Sequence, residues 1–596
     1  MGLKIQAAIV AVAAAASLAT PGTVQLAMAG PRADQPSSPF AYPRQPHTYK
    51  PHKHPDRSRA PSGATEPEPL PHVAPGLTNL LTDYRERAIG HEDFARFAYI
   101  KLGIPQPGRE LPDRYTDSEL PDEQRSLLAG LLAGALDQLP KDVAESIRGN
   151  ARPIEPAPSS RLPSRPRAAA PDAHCGYQYS RSLWGEVSWC KETTAHFEVS
   201  YNVTGPRAVD LTDADGNRVP DYVEQTVKSL EYAWSRYKGF GYKIPDKADV
   251  YIGNPRVAAG VGFTPPYSLI GFPTIVMGQQ AGAFYLPRHE LFHLSQYEYI
   301  PTRSWVFSAR TTQWWMEATA EWGARVTMGG DPSVPESERY QYARHLPEFL
   351  GRPNDKLNQW DGFGAPRQYG AFIFAEFLSA RLSFDAVRQT WEHLGGNWRG
   401  QPLEAIDDTF ADYGVIPSDE MQVFATANYQ LCKNDPQDPN DSGWHYLNID
   451  VPRWCDFLAS DSRTNGAGSA APGIHRPYRY NVRLGADGRA AGTVTVRGGG
   501  TAYIDLIAPA GDLRRLVVGL TGVRGLQGNL ITWETMPKRC YPDQQTLFLD
   551  ANAEMQANLG DRCTVATLAI NRPNADTDGD GQRVNWSTYF LSAAPR

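Results

Sequence analysis

This 596-residue chain lacks the patterns that mark the commonest enzyme classes. It has no glycine-rich phosphate loop of the GxxxxGK(S/T) or GxGxxG type and no G-x-S-x-G nucleophile elbow, which excludes those nucleotide-binding and hydrolase signatures. Its net charge of −7 is mild for this length and argues against a nucleic-acid partner held by phosphate contacts. Beyond the N-terminus no run of about 18 apolar residues occurs, so we expect no stable membrane insertion after signal removal.

Cysteine is also scarce, with six residues and no C-x-x-C, which disfavours a cysteine zinc cluster. The six fall into three near pairs. These are Cys175 with Cys190, Cys432 with Cys455, and Cys540 with Cys563. An even number in local pairs predicts disulfides formed in an oxidising compartment, although other connectivities are open.

The N-terminus predicts secretion. Lys4 precedes the apolar stretch IQAAIVAVAAAASLA, and AMA at 27–29 fits an A-x-A cleavage pattern, so residues 1–29 are interpreted as a signal peptide. A membrane anchor is the alternative, but the apolar run is short and is followed by Pro21 and Gly22. We therefore expect the mature protein to be extracellular, periplasmic or on the cell surface.

Composition divides the next part of the chain into three segments. Residues 30–75 are rich in Pro, Ser, His and Arg and predict a disordered leader. Residues 76–150 carry helical apolar spacing and predict a helical pro-region. Residues 151–173 are interpreted as an exposed Pro/Arg linker, in which Arg161 and Arg167 are not followed by proline and are open to trypsin-like proteases. A zymogen is therefore expected.

The remaining segments predict an α+β fold. Residues 174–465 mix short strands with helices and form the main globular domain. Residues 466–596 hold short strands at regular turn spacing, which is typical of an all-β sandwich-like domain.

The stretch HELFH supplies the first chemical signal. His289 and His293 are one helical turn apart, so both imidazoles lie on one face and match two corners of a tetrahedral zinc site. Glu290 lies beside them, where it can take a proton from a zinc-bound water. The alternative is a helix whose two histidines share a face without metal. The third ligand should be a His, Asp or Glu from a neighbouring element, and the metzincin pattern H-E-x-x-H-x-x-G-x-x-H is absent.

Downstream, the helical stretch WWMEATAEW carries Glu317 and Glu321 one turn apart. HELFH followed by WWMEATAEW resembles the gluzincin zinc metallopeptidases and secreted bacterial metalloproteases with a W-x-x-E-A-x-A segment. The resemblance implies a zincin-like catalytic domain, Zn²⁺ as cofactor and Glu317 as third ligand. It also implies that Glu321 hydrogen-bonds a zinc histidine, which would fix its orientation. Met316 and Ala318 replace Asn and Gly of the aminopeptidase pattern, so aminopeptidase specificity is not implied.

Two further features are candidates for substrate handling. Gluzincins use a Tyr or His from a later helix as hydrogen-bond donor to the oxyanion, and Tyr369 is the candidate for that donor here. Tyr369 could instead be a tyrosine that only packs in the core. His345 and His393 are the other candidate donors. PTIVMGQ at 273–279 is a candidate for the edge strand that holds an extended peptide, although a core strand would give the same sequence.

A second metal is predicted at DADGNRVPDYVE, residues 213–224. Its acidic and amide side chains fall at the spacing of a calcium loop. The candidate ligands are Asp213, Asp215, Asn217, Asp221 and Glu224. Arg218 stands where such loops have glycine for a sharp turn. The alternative is an Asp/Asn-rich turn that precedes a helix.

The sequence thus predicts a secreted zinc metallopeptidase that acts as an endopeptidase on a peptide or protein substrate, with Ca²⁺ as a second ion. One alternative is a secreted, calcium-stabilised adhesion or glycan-binding protein with a non-catalytic zinc site. Another is a zinc hydrolase that acts on a different amide or an ester.

Overall fold

The structure is a computed structural model. It describes residues 75–102, 106–117, 128, 132, 135, 136, 138–149, 175–177, 188–254, 262–265, 272–279, 282–300, 302–361, 366–396, 401–432, 446, 450–464, 477–509, 514–521, 527–533, 545–548, 554–559, 565–572 and 582–591. The predicted signal peptide, the linker and all of the predicted leader except Pro75 lie outside these ranges, as do Cys540 and Cys563.

Helices dominate the first two thirds of the described chain and strands the last third. The helices are α1 (Pro75–Arg85), α2 (His91–Lys101), α3 (Lys141–Gly149), α4 (Asp221–Gly239), α5 (Tyr285–Tyr297), α6 (Thr302–Met328), α7 (Glu336–Arg339), α8 (Leu346–Leu350), α9 (Pro366–Gly370), α10 (Phe372–Arg381), α11 (Ala386–Gly396), α12 (Pro402–Asp412), α13 (Pro417–Gln430) and α14 (Val451–Ser460). Short 3₁₀ turns occupy Asp113–Tyr115 and Gln341–His345.

The strands are β1 (Cys175–Tyr177), β2 (Trp189–Thr193), β3 (Phe197–Asn202), β4 (Ala248–Ile252), β5 (Gly262–Phe263), β6 (Thr274–Met277), β7 (Arg479–Arg483), β8 (Ala490–Val496), β9 (Thr501–Ile507), β10 (Arg514–Thr521), β11 (Gln527–Trp533), β12 (Gln545–Phe548), β13 (Glu554–Leu559), β14 (Val565–Asn571) and β15 (Gln582–Phe590).

The first six strands form one mixed sheet in the order β1-β2-β3-β4-β6-β5. Strands β3, β4 and β6 are parallel, whereas β5 pairs with β6 in the antiparallel direction. Strand β6 therefore has a neighbour on each side, and the interpretation of 273–279 as an edge strand is wrong. Among the described strands the edge at this end of the sheet is β5, which is too short and glycine-containing to stand out in the sequence.

Helices α4, α5 and α6 pack together against one face of this sheet. Gly323 on α6 permits the close approach of α5, because a Cβ there would lie 2.4 Å from Cδ2 of Phe292. Trp315 and Trp322 on α6 are fully buried in the same core. Burial of side chains this large supplies much of the apolar area that holds the helix in place.

A buried arginine fixes the orientation of α5. Arg288 is fully buried, and its Nε donates to Ser229 Oγ at 2.8 Å while its Nη1 donates to the Thr327 carbonyl at 2.7 Å. It also forms an ion pair with Asp331. Breaking a buried pair of this kind typically costs about 3–5 kcal/mol. The turn of α5 that carries His289 and Glu290 is therefore tied to α4 and α6.

The strands from β7 onward form two sheets, of orders β13-β10-β15-β8 and β12-β11-β14-β9-β7. Residues of β8, β10 and β15 share a core with residues of β9 and β14, so the two sheets pack on each other. A buried polar contact joins this region to α13, because Tyr429 donates its hydroxyl hydrogen to Asp505, which also pairs with Arg479 at 3.1 Å. The described chain is thus a mixed α+β protein, as predicted.

Two of the three predicted disulfides are confirmed. Cys175 is bonded to Cys190 and Cys432 to Cys455. The first joins β1 to β2 and closes the start of the main sheet. Disulfides are typical of oxidising compartments. No helix within the described ranges is long and apolar enough to cross a membrane.

Candidate metal centre

The two histidines of HELFH point into one buried site. The Nε2 atoms of His289 and His293 lie 3.1 Å apart, and the residues are 4% and 7% exposed. Helix α5 places them there because residues four apart lie one turn above each other.

Glu317 on α6 completes a triangle of ligand atoms. Its Oε2 lies 3.2 Å from His289 Nε2 and 3.6 Å from His293 Nε2. Bonds of roughly 2.0–2.1 Å in tetrahedral geometry place two zinc ligand atoms about 3.3 Å apart, so the three measured separations fit the edges of such a site. The donor set of two imidazoles and one carboxylate also fits zinc chemistry.

The protonation states of His293 and Glu317 depend on each other. Burial alone would lower the pKa of His293, but the neighbouring Glu317 carboxylate outweighs it and raises that pKa to about 9. Burial would raise the pKa of Glu317, but His293 outweighs it and holds the pKa at about 2. Without metal, these opposite shifts favour a protonated His293 beside an ionised Glu317. A metal ion must displace the histidine proton in order to bind.

Each histidine has a polar neighbour on its other ring nitrogen. His293 Nδ1 lies 2.7 Å from Gln296 Oε1, and the Gln296 amide donates to the Met316 carbonyl at 2.8 Å. Gln296 thus links α5 to α6 beside His293. For His289 the neighbour is Glu321, whose Oε1 is 3.8 Å from Nδ1, beyond hydrogen-bond distance.

Glu321 is held by a tyrosine. The Tyr285 hydroxyl donates to Glu321 Oε1 at 2.5 Å. Burial raises the pKa of Glu321 to about 7. The structure therefore brings the predicted outer carboxylate next to His289, and it adds Tyr285 as a contact that the sequence did not suggest.

Glu290 is positioned by the edge strand β5 and the residue after it. Thr264 Oγ1 lies 2.7 Å from Glu290 Oε2 and 3.0 Å from the Glu290 carbonyl oxygen. A Cβ at Gly262 would lie 2.6 Å from Glu290 Oε1, so the glycine leaves room for the carboxylate. The Tyr297 hydroxyl donates to the Thr264 carbonyl at 3.0 Å and ties this strand to the end of α5. Burial raises the pKa of Glu290.

Tyr369 on α9 lies beside the same centre. Its ring centroid is 6.0 Å from that of His289 and 5.4 Å from that of His345. Burial raises the pKa of Tyr369 well above its usual range, so the phenol keeps its proton. Burial, aided by the charge of Arg344, lowers the pKa of His345 to about 4. His393 instead pairs with Asp412 at 2.7 Å on an exposed surface.

No family model and no curated protein matches this chain. Solved structures with a partial likeness to it include a collagenase domain, a lysozyme inhibitor and a glucuronidase. The pre-peptidase C-terminal domain of a collagenase from Bacillus anthracis is 12% identical, with a TM-score of 0.14 over 19% of this chain and 98% of its own. A periplasmic inhibitor of g-type lysozyme from Aeromonas hydrophila is 18% identical, with a TM-score of 0.14 over 19% and 96%.

The third structure is a family GH115 4-O-methyl-α-glucuronidase with specificity for decorated arabinogalactans. It is 10% identical, with a TM-score of 0.12 over 59% of this chain and 54% of its own. Likeness at this level indicates neither a shared fold nor a shared function.

The acidic stretch forms a second group of converging oxygens before α4. Carboxylate oxygens of Asp213, Asp215 and Asp221 lie within 4.8 Å of one another in an exposed loop. Asn217 Nδ2 donates to Glu224 Oε1 at 2.6 Å, so all five predicted ligands gather in this turn.

Arg218 takes a left-handed backbone conformation in this loop, with φ of 76°. That is the conformation for which calcium loops use glycine at this position. Asp213 supports it by accepting the Arg218 backbone N–H at 2.8 Å.

Sequence reasoning missed four residues of the centre: Gly262, Thr264, Tyr285 and Gln296. Gln296 could have been found, because it lies three residues after His293 on one helix face. Tyr285 could have been found in the same way, four residues before His289. Thr264 lies 26 positions from Glu290 along the chain, and no local spacing signals that contact.

Proposed function

We propose that this protein is a secreted zinc-dependent peptidase of gluzincin type. The observation that carries the proposal is the triangle of His289, His293 and Glu317, with ligand atoms 3.1–3.6 Å apart, two buried histidines and Glu290 alongside. A zinc ion held by these three residues would act as a Lewis acid and lower the pKa of a bound water.

Side chains around the zinc site would then transfer the proton, stabilise the oxyanion and orient a ligand. Glu290, with Oε2 fixed by Thr264, accepts the proton of the attacking water and later passes it to the leaving amine. Tyr369, which burial keeps protonated, donates a hydrogen bond to the oxyanion of the tetrahedral intermediate. Gln296 holds the ring of His293 in position. The burial of the centre strengthens each of these interactions, because little water is present to screen them.

The proposal includes a structural calcium ion in the loop 213–224. The loop 213–224 gathers five oxygen-bearing side chains and takes the sharp turn at Arg218 that such a site needs. It precedes α4, which packs on the helix of the zinc centre through Tyr237 and Phe292, so the ion would stabilise a supporting helix.

The decisive experiment measures bound zinc and casein hydrolysis on the same preparations. Wild-type protein is expected to hold about one zinc per chain and to cleave casein in a chelator-sensitive way. Glu290→Gln should keep the zinc but lose activity by about 10³-fold. Glu298→Gln, an exposed position just after the same helix, is the matched control and should behave as wild type.

Three results would overturn the proposal. Absence of bound zinc contradicts the metal centre. Full zinc with no cleavage of casein favours an adhesion or glycan-binding role. Cleavage confined to small esters or non-peptide amides would favour the alternative of a zinc hydrolase that does not act on peptide bonds.

A further inference from the structure

The six-stranded sheet has two covered faces. On β4, Val250 and Ile252 lie in the core that contains the metal-centre helices, whereas Tyr251 between them lies in a different buried cluster. Strand β6 repeats this alternation, with Ile275 on one side and Val276 on the other. Successive side chains of a strand point to opposite faces, so the second cluster covers the face away from α5.

The second cluster is formed with the described helical residues of 75–149, here called the N-terminal lobe. Trp189 of β2 is fully buried in it and meets Tyr251 edge-on, with ring centroids 5.9 Å apart. The lobe contributes apolar side chains from α1, α2, α3 and the stretch between them. They include Leu77, Leu80, Phe94, Phe97, Leu132 and Ile147.

Polar contacts hold the lobe together internally. Lys101 pairs with Asp117 at 2.6 Å, and both side chains are at least nine-tenths buried. Asp117 also accepts the backbone N–H groups of Gly76 and Leu77 at 2.7 and 3.0 Å, which caps the start of α1. The lobe therefore presents an ordered apolar surface to the sheet.

The second cluster also reaches the strand that positions Glu290. Phe263 of β5 packs against this cluster, which contains the lobe's apolar side chains together with Tyr251 and Val276. Its neighbours in sequence lie at the Glu290 carboxylate, since Thr264 Oγ1 is 2.7 Å from Oε2 and a Cβ on Gly262 would be 2.6 Å from Oε1. One short strand thus connects the cluster on one face of the sheet with the proposed general base on the other.

We propose that the N-terminal lobe is a permanent part of the enzyme, which remains bound after the linker 151–173 is cut and supports activity instead of blocking it. Release would expose Trp189, Tyr251 and Val276 together, and apolar patches of this kind are disfavoured in water. The Cys175–Cys190 disulfide would keep the new chain start attached to β2 after a cut at Arg161 or Arg167. The claim about activity rests on the proposed function, whereas the claim about retention does not.

The test inserts a recognition sequence for a site-specific protease into 151–173 of the full chain. After complete cleavage, the two fragments should co-elute in native size-exclusion chromatography and separate only on a denaturing gel. Casein hydrolysis should change by less than about twofold. Separate elution of the lobe would overturn the proposal, as would a rise in activity of about tenfold or more on cutting, because that rise identifies an inhibitory pro-segment.

A variant of the interface identifies the surface responsible. Tyr251→Asp places a charge in the buried cluster, so the lobe should dissociate after the cut, whereas Tyr480→Asp at an exposed site should leave the fragments together. Continued co-elution of the cut Tyr251→Asp protein would contradict this interface. If Tyr251→Asp does not fold, co-elution of the cut parent protein still decides retention. A zinc-loaded protein that is inactive both before and after cutting would contradict the proposed function, and co-elution would still decide retention.

Discussion

The buried centre around His289 and the acidic loop before α4 gather metal-type ligands in opposite ways. The centre takes its groups from two helices and the edge-strand segment that ends at Thr264, with partners 26 and 28 positions apart, and its two histidines are buried. The loop takes all its groups from residues 213–224, and Asp215 is exposed. Burial makes the first site costly to leave incomplete, whereas water can satisfy the second.

This difference sets the expected size of every mutational effect. Unpaired polar groups in a buried site cannot be rescued by solvent, so loss of one ligand should spread to its neighbours. An exposed carboxylate that is removed is replaced by water. We therefore expect large effects at the centre, intermediate effects in its supporting contacts and small effects in the loop.

The largest effect is expected for Glu317→Ala. The variant removes one corner of the triangle and leaves two neighbouring histidines, so zinc binding should weaken by more than about 100-fold and casein cleavage should be lost. Competition titration with a chromogenic chelator measures the affinity. Glu298→Ala is the control, and zinc binding of wild-type strength in Glu317→Ala would show that the third ligand is another group.

The next effect is expected for Gly262→Ala. The added methyl would lie 2.6 Å from Glu290 Oε1 and must displace the carboxylate, whereas none of the three proposed zinc ligands is among the atoms nearest to it. Turnover should fall by about 100-fold with zinc content unchanged, since a shift of about 1 Å has that cost in catalysis. Gly239→Ala, where a Cβ meets nothing within 4 Å, should match wild type. Equal activity of the two variants would mean that β5 does not position Glu290.

A smaller effect is expected for Gln296→Leu. It removes the oxygen that lies 2.7 Å from His293 Nδ1, and zinc affinity should fall by about 10–100-fold. Gln296→Glu keeps an acceptor at that place and should restore most of the affinity. If the Leu and Glu variants bind zinc equally well, the amide only packs between the helices.

The sequence predicts the local features of the molecule better than those formed across distance. The helix of HELFH, the helix of WWMEATAEW and two disulfides follow from spacing within short stretches. The contact of Thr264 with Glu290 does not, because it depends on how β5 joins the sheet. The sequence also suggested that β6 is an edge strand, because its true outer neighbour β5 is only two residues long and gives almost no β signal.

For the acidic loop 213–224 the sequence predicted a whole group of neighbouring side chains, because these residues are close together along the chain. Even there, Arg218 stands at the glycine position, and only the backbone reveals that it takes the left-handed turn with φ of 76°. The Asp213 carboxylate holds that conformation by accepting the backbone N–H groups of Gly216, Asn217 and Arg218. A left-handed residue is otherwise disfavoured by roughly 1–2 kcal/mol.

The smallest effect is expected for Asp215→Asn, and it should appear only in the presence of calcium. If Ca²⁺ at about 100 times its Kd stabilises the wild type by about 2.7 kcal/mol, the melting temperature should rise by several degrees on adding the ion. Asp215→Asn should lose that rise while its melting temperature without calcium stays close to wild type, because water replaces the exposed carboxylate. Asp246→Asn, whose side chain is 89% exposed, should keep the full rise. An equal rise in the Asp215 and Asp246 variants would place the ion elsewhere. A large loss of stability without calcium would show that the loop, like the buried centre, depends on its own contacts.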